Sequence, residues 1–155
     1  MEKINALKAT LAAILAGFTA VFGWFGWVTL IFIASMTGDF LTGIAAAAKN
    51  GEWESKKARD GLWHKCGSLI NVIVAAGVDI LLGQIINNIP SINLPFQYSV
   101  LFCPIVMIWY TVSEFGSMVE NAGKMGAPVP GFLKKMIAIF KETVDAAGEK
   151  ITEIK

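Results

Sequence analysis

Residues 9–38 read ATLAAILAGFTAVFGWFGWVTLIFIASMTG, thirty positions without Asp, Glu, Lys, Arg or His. A helix needs about 20 apolar residues to cross a bilayer. This stretch is therefore too long for one crossing, and apolar sequence resumes after Asp39, from Phe40 to Ala48. Gly23-Trp-Phe-Gly26-Trp27 places glycines and aromatics where an interfacial turn would sit. The reading is two spans, roughly Ile4 to Gly23 and Val28 to Ala48. From Cys66 to Ser113 the same absence recurs, broken only by Asp79. Asn87-Asn88-Ile89-Pro90-Ser91 and Pro95 form an uncharged turn there, giving two further spans, roughly Cys66 to Ile86 and Phe96 to Met118. Backbone in a bilayer must satisfy its own hydrogen bonds, so all four are helices.

Composition agrees. The 155 residues are 55% hydrophobic and 16% charged, against about 45–50% and about 25% in soluble domains. A net charge of +1 gives no field to draw nucleic acid. Two Cys and one His exclude a disulfide framework and leave too few ligands for a structural zinc site. Cys66 and Cys103 both fall in spans and read as free thiols. No G-x-S-x-G, H-E-x-x-H, P-loop or C-x-x-C motif is present, and the chain reads as neither an enzyme nor a cofactor protein.

The expected fold is an all-α integral membrane bundle of four helices, with a cytoplasmic amphipathic C-terminal helix. In a three-span alternative the first segment lies at the interface. That segment lacks a small-x-small cleavage site before Trp24 and is read as an uncleaved helix. The organisation is an N-terminal helix (1–24), a transmembrane core (25–120), and a Pro/Gly hinge with a heptad-patterned helix (121–155). Lysine and arginine cluster at the start, in the loop Lys49–Lys65 and in the tail, and are absent from the two other loops. The positive-inside rule then puts both termini in the cytoplasm, with the chain multi-pass in the cytoplasmic membrane.

Three acids lie within spans: Asp39, Asp79 and Glu114. A charge at a bilayer centre costs about 2.5–3.5 kcal/mol, so each must face protein or water, or be protonated. They read either as interhelical hydrogen bonds or as the lining of an aqueous path. Around them run two stripes at spacing four: Ser35, Asp39, Gly43 and Ala47, then Gly67, Asn71, Ala75, Asp79 and Gly83. Small residues let helices approach and polar ones bond across the contact, within one bundle or between copies. Pro104 is expected to bend the fourth helix or free a carbonyl within it. In the tail, Leu133, Ile137, Phe140, Val144, Ala147, Ile151 and Ile154 alternate by four and three. This seam suits packing under the bundle, self-association, or lying on the membrane through Phe132, Met136 and Phe140.

Several motifs follow in order. Asp39-Phe-Leu-Thr42-Gly43 closes a span, and Gly61-Leu62-Trp-His-Lys65 precedes the one holding Asp79. Then come Glu114-Phe-Gly-Ser117-Met-Val-Glu120-Asn121-Ala122 and Gly126-Ala-Pro128-Val129-Pro130-Gly-Phe132-Leu133-Lys134. Over about residues 25–140 this series resembles the toxin-secretion/phage-lysis holin family of phages and Gram-positive bacteria. The resemblance implies a homo-oligomer that accumulates in the cytoplasmic membrane and opens lesions at a set time, without catalysis of its own. An endolysin, or a large toxin, then reaches the wall. Asp39, Thr42, Gly43, Lys65, Asp79, Glu114, Glu120 and Asn121 are motif positions to which the resemblance assigns no chemistry. The residues alone also allow a small proton-coupled transporter or ion channel, and a scaffold that recruits partners through its tail.

Overall fold

A computed structural model describes residues 2–89 and 100–152, which are helix apart from short connections. The four helices are α1 (Glu2–Lys49), α2 (Ser55–Asn88), α3 (Phe102–Lys124) and α4 (Gly131–Thr152). Three helical stretches are long and apolar enough to cross a membrane: Gly23–Lys49, Ser55–Asn88 and Phe102–Lys124. Among the described residues the chain is thus an all-helical membrane type with three candidate spans.

The sequence turn at Gly23–Trp27 reduces to one residue. Gly23 takes φ 58° and ψ −153° inside α1, where only glycine sits without strain. Trp24 to Trp27 already belong to the second arm, and the Trp27 indole N–H donates to Thr19 Oγ1 at 3.0 Å across the break. The first arm holds a shorter apolar helix, Ile4–Gly17, with Leu7 and Ile14 largely exposed.

Three expectations change. The charged loop Lys49–Lys65 is mostly helix, because α2 begins at Ser55. Nothing between Ser55 and Asp60 breaks a helix, and charged residues tolerate one in water, a case that hydrophobic periodicity does not detect. Pro104 lies in the first turn of α3, where a missing N–H deprives no carbonyl of its bond, so it bends nothing. The boundary at 120 falls inside α3, which runs on to Lys124. The turn at 90–95, the start of the fourth span at 96–99, and Ile154 lie outside the described residues.

α1 and α3 end in the same way. At the first, the Glu52 N–H donates to Ala47 O and the Gly51 N–H to Ala48 O, with Gly51 at φ 69°. At the second, Ala127 donates to Ala122 O and Gly126 to Gly123 O, with Gly126 at φ 87°. Both are Schellman caps that satisfy the last carbonyls. The Lys49 ammonium donates to Met125 O and ties the two ends together.

α3 occupies the middle and packs against α1, α2 and α4, while α1 and α2 touch little. The core between them holds Phe32, Met36, Ala75, Cys103 and Met107, flanked by Val72, Val106 and Tyr110. The outer face of α2 carries exposed Ile70, Ile73, Val74, Ile80 and Leu81. Such a surface suits lipid, not water. α4 runs back antiparallel along α3. Ile137 lies against Gly116, and Asp145 accepts a hydrogen bond from the Trp109 indole.

Candidate functional site

The spans meet through two polar layers. In the first, the Lys65 ammonium donates to Asp39 Oδ2 at 2.9 Å and to Glu114 Oε2 at 2.5 Å. One lysine from α2 thereby joins an acid of α1 to an acid of α3. The three side chains are only 14%, 19% and 11% exposed, so screening by water is weak. The other oxygen of Asp39 accepts from Asn121 Nδ2 at 3.1 Å, and the same amide reaches Thr42 Oγ1 at 3.3 Å. Thr42 turns its own proton to Asp39 O, so it is an acceptor for Asn121. Gly43 leaves room for this amide: a Cβ there would lie 3.6 Å from Asn121 Nδ2.

Lys65 ends the charged part of α2, and the apolar run broken only by Asp79 starts at Cys66. The layer therefore sits where the apolar zone begins. On its lysine-rich side opens a cleft of about 460 Å³, walled by Glu52, Glu54, Lys57, His64, Ser117, Glu120 and Lys124 among others. Glu120 is exposed there.

The second layer lies fourteen positions further along α2, about 21 Å at 1.5 Å per residue. Asp79 is 2% exposed. Its Oδ1 accepts from the backbone N–H of Leu101 at 3.0 Å and of Phe102 at 2.9 Å, and its Oδ2 from Cys103 at 2.7 Å. A carboxylate of one span thus caps the N-terminus of another, where orphan N–H groups and the helix dipole favour negative charge. Between the layers, Asn71 Nδ2 donates to Tyr110 OH at 2.6 Å, and Tyr110 stacks obliquely on Phe32.

The two stripes divide. Ser35, Ala75 and Asp79 are buried, and Gly43 and Ala47 are half-buried. Asn71 is exposed, and neither Gly67 nor Gly83 has a neighbour within 4 Å of where a Cβ would stand. Gly38, which the stripes left out, makes the closer approach: a Cβ there would stand 2.9 Å from Met118 Cε. Lys65 as the bridge between two acids was missed as well. Its signal was available, since it is the last cation before an apolar run and two spans each bury an acid. In the tail, Leu133, Ile137, Val144 and Ile151 are half-buried, while Phe140 and Ala147 stay exposed.

The chain is 31% identical over 135 residues to an uncharacterized protein of Halalkalibacterium halodurans, covering 87% of this chain and 93% of that one. It is 33% identical over 128 residues to an uncharacterized protein of Listeria innocua, covering 80% and 81%. A 14.9 kDa uncharacterized protein in the nagH 3′ region of Clostridium perfringens is 24% identical over 134 residues, covering 86% and 92%. No solved structure matches. The model of the bacteriophage holin family matches residues 16–142, most of the chain, and the chain belongs to that family.

Proposed function

We propose that the chain is a holin: a multi-pass, non-enzymatic homo-oligomer of the cytoplasmic membrane that opens lesions for an endolysin or a secreted toxin. Both termini lie in the cytoplasm, and the N-terminal arm of α1 forms a fourth span that makes this topology even. The observation that carries the reading is the Lys65 bridge between Asp39 and Glu114. Lipid supplies no hydrophobic drive to hold helices together, so close packing and polar bonds do it. Bonds of this kind have equivalent partners in a second copy. Copies that first gather as closed bundles can exchange intrachain for interchain partners. The cleft residues then turn toward water, and the outer faces of α2 stay in lipid.

The test is efflux from vesicles holding the purified full chain, loaded with a small dye and with dextrans of protein size. Release of dextran and dye together supports the lesion. The acid-lined cleft favours a second reading, a small proton-coupled transporter. That reading predicts proton flux with every dextran retained.

A further inference from the structure

α4 uses only part of its apolar surface where it now sits: Leu133, Ile137, Val144 and Ile151 are half-buried, and the rest is open. At 100° per residue, Phe132, Met136, Ile139 and Phe140 share an arc of about 100°. They remain 68%, 59%, 62% and 55% exposed. Contact with α3 is made further round the helix, by Leu133 and Ile137 at the edge of the apolar arc and by Lys141 and Asp145 beyond it. Lys141 lies 5.0 Å from the centre of the Trp109 ring, and Asp145 bonds the same indole. The centre of this seat is thus turned by roughly 130° from the middle of the exposed apolar arc. An open apolar groove of about 380 Å³ separates this arc from Val28 and Ile31 of α1.

The depth of the seat is equally unfavourable. Trp109 lies five positions beyond Glu114, away from the lysine-rich end, about 7 Å further into the apolar zone. Asp145 sits beside it, and Glu149 and Lys150 follow one turn deeper along α4. With α3 in a bilayer, these charges lie alongside hydrocarbon. The segment 125–130 joins the two helices at the interface, with Gly126 at φ 87° and prolines at 128 and 130. It gives α4 a pivot at the height where α3 ends. Lys134, Lys135 and Lys141 precede the first acid of α4, Glu142, and so the proximal half is purely cationic.

We propose that α4 is a surface helix of the leaflet at the lysine-rich end. There it leaves α3, sinks Phe132, Met136, Ile139 and Phe140 to the acyl boundary, and sets its three proximal lysines against anionic headgroups. The proposal rests on insertion of the spans and not on lesion formation.

The test uses the full chain in a Cys66→Ser/Cys103→Ala background whose helicity matches the wild type. Single spin labels replace Met136, Ile139 or Glu142 (Met136→Cys, Ile139→Cys, Glu142→Cys). The protein is placed in vesicles of phosphatidylcholine with phosphatidylglycerol, and collision rates with oxygen and with a water-soluble nickel chelate are measured. Labels at 136 and 139 should favour oxygen several-fold and the label at 142 should favour nickel. Omitting phosphatidylglycerol should shrink that contrast at least twofold. Nickel-accessible labels at 136 and 139 would overturn the proposal, since α4 would then stand in water. Labels shielded from both reagents would overturn it too, because protein and not lipid would cover the arc. Dextran efflux is read on the same samples. Lipid-facing labels without efflux leave the surface helix standing and remove the lesion.

Discussion

Replacing Lys65 by methionine keeps the length of the side chain and removes the cation between Asp39 and Glu114. The ammonium lies 2.9 and 2.5 Å from the two carboxylates, and all three groups are less than one-fifth exposed. Removing one partner of a buried pair costs about 3–5 kcal/mol, because the remaining charge is left uncompensated. Here two carboxylates are left, so the upper part of that range applies. At 1.4 kcal/mol per factor of ten, the hold of α2 on α1 and α3 weakens roughly 10³-fold or somewhat more. The assay is reversible unfolding of the purified chain in mixed micelles of rising SDS fraction, followed by tryptophan fluorescence. A second variant separates charge from packing. Asp39→Asn/Lys65→Met/Glu114→Gln leaves no unpaired charge and should regain most of the loss, so the three changes are strongly non-additive. If Lys65→Met unfolds within about 0.5 kcal/mol of the wild type, a surface-like pair is indicated and the reasoning fails. It fails as well if the triple variant loses the sum of the three single losses.

Asp79→Asn retains one acceptor oxygen for three backbone donors and loses the charge. Charged hydrogen bonds contribute about 1.5–3 kcal/mol each, so amides 101–103 should exchange with solvent tenfold faster or more. Unchanged protection there would show that α3 needs no cap from α2. Gly43→Leu drives a branched side chain into the place of the Asn121 amide, which should separate it from Asp39 and Thr42. Overpacking of this kind costs about 1–3 kcal/mol, so the SDS midpoint should fall and the onset of dextran efflux should shift. Gly23→Ala meets a conformation reserved for glycine and should straighten α1. The distance between spin labels on either side of residue 23 should then lengthen and narrow to one value, and an unchanged distance would count against the break.

Three of the four expected spans were legible in the sequence because charge is so sparse: a missing lysine is visible over thirty residues. The breaks at Gly23, Gly51 and Gly126 were legible because each needs positive φ. Which face of each helix meets its neighbours was read less well. A strict spacing of four advances 400° per step and so winds about 40° away from the starting face each time. Over Gly67, Asn71, Ala75, Asp79 and Gly83 that drift exceeds 120°, so the five cannot share one contact: Ala75 and Asp79 are buried, Gly67 and Gly83 half-buried and Asn71 exposed. The contact face alternates threes and fours: Lys65, Val72, Ala75 and Asp79 on α2, and Phe32, Ser35, Met36 and Asp39 on α1. Lys65 escaped as a bridge because a lysine at the edge of a span has an ordinary explanation, snorkelling to the headgroups. Only the third dimension sets it between two acids from helices 26 and 49 positions away. The tail seam fixed an amphipathic helix but could not say what covers it, since lipid, a second copy and α3 all accept the same pattern.

The most direct test of the account is a lysis curve. The chain is expressed in a bacterium together with a cytosolic wall-degrading enzyme that has no export signal, and optical density and membrane potential are followed together. The account predicts a delay, then abrupt loss of potential and of optical density, with lysis only when both proteins are present. Lysis postponed or abolished by Lys65→Met would tie the event to the bridged layer. Steady growth inhibition with an intact wall, whatever the enzyme level, would mean that no folded protein passes, and the holin reading would be wrong.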